Sequence, residues 1–165
     1  MENSISRFIK ESIDMELNIA DLYLLFSVKF PVDYDFWWRL SMEEINHAAL
    51  IESIDEGFLE ESIFPSETIN NQTDELYKMN LSIKNRIEQY RSAPPIRLES
   101  FEIGINLENS IGEFHFELFM TEEPTSQMTE IFQKLNGDDV NHAKRIANYM
   151  KDKVCLLYTS PSPRD

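Results

Sequence analysis

The chain lacks the means for covalent or thiol-based architecture. Its 165 residues hold one cysteine, Cys155, so disulfides and thiolate-ligated metal sites drop out. Positive charge is also scarce. Thirty acidic residues stand against fifteen basic ones, a formal net charge of −15. That balance excludes nucleic acid, whose phosphates would be repelled, and anionic membrane surfaces. No apolar run approaches the roughly 20 residues of a membrane span, and no signal peptide opens the chain, so a cytoplasmic protein is expected. Strand signals are missing too. There is no sustained β-branched alternation, and the one Asn-Gly pair, Asn136-Gly137, lies inside a helical pattern. What remains is an all-α chain of one domain, long enough to bury a core.

The segment 155–165, CLLYTSPSPRD, stands apart. It back-translates without a gap as TGT CTC TTA TAC ACA TCT and onward, which reads as a transposase adaptor translated in frame. Residues 1–154 are therefore expected to form the domain, with 155–165 non-native and the natural chain cut near Val154. Setting Arg164 and Asp165 aside leaves the net charge unchanged.

Prolines punctuate long helical patterns: Pro31, Pro65, Pro94-Pro95 and Pro124. The first pattern, about 4–29, carries Ile5, Ile9, Ser12, Glu16, Ile19, Tyr23, Phe26 and Phe30 at steps of four and three, one face of a helix. A second, for which Asp33 is a candidate cap, carries Phe36, Leu40, Glu44, His47, Ile51, Ile54 and Phe58. A third shows Phe101, Ile105, Glu108, Ile111, His115 and Leu118. The fourth, with Thr125 as candidate cap, shows Met128, Phe132, Leu135, Asp139, His142, Ile146 and Tyr149. The connection between the second and third, about 64–93, contains a further helical stretch at 74–91. Two helical hairpins joined by a long, partly helical crossover is the topology of a ferritin-like four-helix bundle.

Each stripe is broken by an ionisable residue where a hydrophobe belongs. A carboxylate left in an apolar seam costs several kcal/mol unless something compensates it. The breaks also repeat. Residues 38–48, WRLSMEEINHA, match 133–143, QKLNGDDVNHA, as basic-Leu-x-x-acid-acid-aliphatic-Asn-His-Ala. Met15-Glu16, Ile19-Ala20 and Tyr23 recur as Leu107-Glu108, Ile111-Gly112 and His115. The chain thus reads as two related hairpins with a pseudo-two-fold axis. Glu44 and His47 are three residues apart and project from one helix face, as do Asp139 and His142. With Glu16 and Glu108 from the other helices, this is the ligand set of a dimetal carboxylate bundle: four carboxylates to offset two divalent ions, and one imidazole for each.

On these residues the chain resembles the rubrerythrin branch of the ferritin-like superfamily, in a short form without a rubredoxin module, over nearly all of residues 4–153. The resemblance implies two iron ions, with manganese or a mixed pair as alternatives, held by Glu16, Glu44, His47, Glu108, Asp139 and His142. It implies reduction of peroxide or dioxygen, ferroxidase activity, or both. It also implies an external electron donor such as a rubredoxin-like protein, and leaves room for a homodimer. Asp139 stands where the family usually has glutamate, and His115 where it usually has tyrosine. The shorter aspartate predicts altered bridging and a weaker second metal.

Around this set, Glu43 and Asp138 lie one position off the seam and read as solvated or supporting side chains. Tyr23 takes the family role of a hydroxyl bonded to a ligand carboxylate. His115 has three readings: an extra ligand, a proton carrier, or a core histidine satisfied by Glu108 or Asp139. Glu113 is a further candidate ligand, and Phe36, Trp37 and Trp38 read as packing. Tyr23 and His115 each follow a seam glutamate by two turns on the same face and are the candidate catalytic proton donors. Three functions compete: a di-iron peroxidase, an iron-handling ferroxidase, and a non-enzymatic bundle that retains a metal site.

Overall fold

A computed structural model describes residues 4–54, 66–119 and 127–154, with side chains for all of these except 66–68, 112–119 and 154. The segment 155–165, Phe58 and Thr125 lie outside the described residues. Every regular element among the described residues is helical. They are α1 (Ser4–Lys29), a 3₁₀ turn (Pro31–Asp33), α2 (Tyr34–Glu52), α3 (Ser66–Ser92), α4 (Arg97–Phe119) and α5 (Gln127–Tyr149), which ends in a π turn (Met150–Val154). No described helix is long and apolar enough to cross a membrane.

Proline sets the boundaries. Phe30, ahead of Pro31, is pushed out of the helical region to φ −122° and ψ 76°, which ends α1. The 3₁₀ turn closes with Asp33 N–H donating to Phe30 O at 2.8 Å. Asp33 does stand at the N-cap of α2, but its side chain makes no capping bond. It sits at ψ 14° rather than in the extended conformation a capping side chain needs, and it is buried. Pro94 and Pro95 separate α3 from α4. At the start of α4 the N–H of Ile96 donates to Glu99 Oε2 at 3.1 Å, the reciprocal half of a capping box.

The chain contacts form two units, 1–94 with 126–131 and 95–125 with 132–165. In the first, α1 is packed by both α2 and α3. Opposing residues show that α2 runs antiparallel to α1: the Tyr23 ring lies against Trp37 at 5.2 Å, Ser41 Oγ donates to Ala20 O at 2.8 Å, and His47 faces Glu16. The α3 helix runs parallel to α1. Arg7 meets Asp74, Asn80 bonds Glu11 and Asn18, Phe26 faces Tyr90, and Lys29 Nζ donates to Arg91 O.

The α3 helix begins eight residues before the stretch 74–91 that its pattern suggests. Residues 68–73, TINNQT, are β-branched or polar and poor helix formers. Burial overrides that preference: Ile69, Thr73, Leu76, Asn80, Ile83 and Ile87 form one buried face. Thr73 satisfies its hydroxyl by donating to Ile69 O at 2.7 Å. Asn80 satisfies its amide through Asn18 at 2.8 Å and the Glu11 backbone and carboxylate at 2.9 Å each.

In the second unit α4 and α5 run antiparallel. Phe101 stacks on Tyr149 at 5.7 Å, and His142 faces Glu108. The α5 helix passes through Gly137 without a break, and no described glycine has positive φ. A Cβ built at Gly137 would meet nothing within 4 Å. Gly137→Ala is therefore expected to stabilise the protein by about 1 kcal/mol, read as a raised midpoint in thermal or urea denaturation.

Candidate metal centre

The seam breaks are buried in the core. Glu16, Glu44, Glu108 and Asp139 are each 1% exposed, His47 6% and His142 3%. In the α1–α2 hairpin, Glu16, Glu44 and His47 each offer a donor atom, and these three atoms lie within 4.8 Å of one another. The helical rise explains the grouping. Glu44 and His47, three apart, share the inner face of α2, and the antiparallel register brings Glu16 of α1 to the same level. His47 Nδ1 donates to Glu44 Oε2 at 3.0 Å and stands 3.7 Å from Glu16 Oε2, an ion-pair distance rather than a hydrogen bond.

The α4–α5 pair repeats the theme. His142 Nδ1 is 3.6 Å from Glu108 Oε2. Asp139 is buried one turn before His142 on α5. Around the first group, Tyr23 is fully buried two turns beyond Glu16, its ring against Trp37, which is itself fully buried and in edge contact with Phe26 at 5.2 Å. Trp38 points outward, and Glu43 and Asp138 are half-buried. The side chains of His115 and Glu113 lie outside those described. Asn80 and Asn18, which fix how α3 lies on α1, were not anticipated. The visible signal was an asparagine at a core step of α3.

Electrostatics favour a charged His47. Burial alone would lower its pKa, but the carboxylates of Glu16 and Glu44 outweigh burial and raise it to about 10. Without a metal, the imidazolium thus offsets part of the buried negative charge. A metal ion would take over that role and needs the neutral ring as ligand, so its binding displaces this proton. The Glu16–Glu44–His47 group, two carboxylates and one imidazole with no thiolate, could hold a metal ion.

The pH dependence of the metal-free protein follows. The folded pKa lies above the ordinary value of 6.5, so the His47 contribution is complete below pH 6.5 and is lost as pH rises through about 10. Urea titrations of metal-free protein should show stability falling across that window, by an amount of the order of a few kcal/mol, and His47→Gln should flatten the profile.

In comparisons with protein-family models, curated proteins and solved structures, nothing matches the chain.

Proposed function

We propose that the chain is a non-haem di-iron protein of rubrerythrin type that reduces hydrogen peroxide with electrons from an external donor such as a rubredoxin-like protein. In this reading the α1–α2 and α4–α5 hairpins are the two halves of a ferritin-like four-helix bundle. Glu16, Glu44, His47, Glu108, Asp139 and His142 hold one pair of ions. The observation that carries it is the buried Glu16–Glu44–His47 group, whose donor atoms converge within 4.8 Å and in which a single imidazolium offsets only part of the charge of two carboxylates. The sequence repeat supports it by supplying the same residue types, also buried, from Glu108, Asp139 and His142.

The overall reaction takes one peroxide, two electrons and two protons to two waters. Bound iron would supply the electron pair that cleaves the O–O bond. The residues of the chain do the rest. Four carboxylates offset the charge of two divalent ions, and the two imidazoles give each ion a nitrogen ligand. Packing of Tyr23, Trp37 and Phe26 beyond Glu16 excludes bulk water from that side. Tyr23 and His115 are the proton donors, and the histidine has the pKa better suited to transfer near neutrality.

Iron-reconstituted protein should hold about two metal ions per chain, and Glu44→Ala should remove at least one. Metal analysis that finds none in folded protein would sink the proposal. The diferrous protein should be oxidised faster by hydrogen peroxide than by dioxygen in stopped-flow measurements. His115→Phe should slow that step by roughly 100-fold or more with both metals retained. Loss of a metal in this variant would make His115 a ligand instead. Faster oxidation by dioxygen, with ferric mineral accumulating, would replace peroxide reduction by iron handling.

A further inference from the structure

The repeat that relates the two hairpins departs at successive positions where α2 reads Ser41-Met42-Glu43-Glu44 and α5 reads Asn136-Gly137-Asp138-Asp139. The last three exchanges each replace a strong helix former by a weaker one, methionine by glycine and glutamate by aspartate twice. The fold gives Gly137 no conformational task. It lies inside a continuous helix, has no positive φ, and leaves open space where a side chain could stand. The residue before it supplies a chemical one. No other asparagine in the chain precedes glycine. In an Asn-Gly pair the backbone nitrogen attacks the side-chain amide readily, because the glycine has no Cβ to hinder the approach.

We infer that Asn136-Gly137 is a self-modification site, held in check by α5 and reactive wherever this helix opens. The Gly137 nitrogen forms a bond to Asn136 Cγ, and the side-chain nitrogen leaves as ammonia. Water then opens the cyclic imide at either carbonyl, giving aspartate or isoaspartate, with no oxidant or cofactor taking part. Folded α5 blocks the first step. A helical ψ of about −42° holds the Gly137 nitrogen off the line of attack, and its N–H is committed to the helix ladder. Asn136 itself is buried, 8% exposed. The run of weak helix formers at 136–139 lowers the cost of opening this turn. Neither product fits back. Aspartate adds a carboxylate at a buried position one turn from Asp139. Isoaspartate lengthens the main chain by a methylene inside the ladder and leaves backbone groups unpaired. The reaction therefore marks, irreversibly, chains whose α5 has opened. The matching turn of α2 has no such chemistry, since Ser41 carries no amide to cyclise. The inference does not depend on the metal proposal.

Mass spectrometry of the full chain, digested after timed incubation in mildly alkaline buffer, tests it. In concentrated urea Asn136 should be the first asparagine converted to the acid. In native buffer its conversion should be slower by roughly 100-fold or more, since only opened helices react. Gly137→Ala, whose methyl group hinders the attack, should abolish the early conversion in urea while the variant folds normally in buffer. Chains converted in urea and returned to buffer should melt at a lower temperature than unconverted chains treated in the same way. The inference is overturned by equal rates in urea and in native buffer, or by an Asn136 that stays intact in urea or reacts there after another asparagine. Early conversion that persists in Gly137→Ala, or converted chains that refold with the wild-type melting temperature, would overturn it as well.

Discussion

The structure depends on how it tolerates carboxylates in an apolar core. Moving an ionised group out of water costs several kcal/mol after relaxation, and Glu16 and Glu44 are brought together on facing helices rather than kept apart. His47 makes that tolerable by carrying a proton between them. The arrangement needs helices: only a three-residue step on α2 and an antiparallel neighbour in the right register deliver a histidine and two carboxylates to one point. Ser41 bonded to Ala20 and Tyr23 packed on Trp37 hold that register on the side of the group nearer the turn.

Much of this was legible in the sequence because a helix face has a fixed period. The bounds of α1 follow from its stripe and from Pro31. The places where ionisable residues enter the core follow from Glu16, Glu44, Glu108 and Asp139 interrupting otherwise apolar steps. Phe30, Phe36 and Tyr149 come out only half-buried, since they sit at helix ends where a neighbouring helix no longer covers them. Ile105, in the middle of α4, is half-buried as well.

What was not legible depends on tertiary context. The first turns of α3 have poor intrinsic propensity and are helical because Ile69 and Thr73 are buried. The Asn18–Asn80–Glu11 network needs two helices whose pairing no local pattern states. Asp33 looked like a cap because its residue type favours one, but the 3₁₀ turn before it fixes a backbone angle from which the carboxylate cannot serve.

The short connection between α1 and α2 has an entropic side. Three turn residues, Pro31–Asp33, close this pair, whereas α3 must be brought back from far along the chain to lie beside α1. The entropy of loop closure grows with the length of chain enclosed, so closing the hairpin costs less chain entropy than the long-range pairing. Glu16, Glu44 and His47 all lie in this pair, so bringing their donor atoms together encloses less chain than docking α3 on α1.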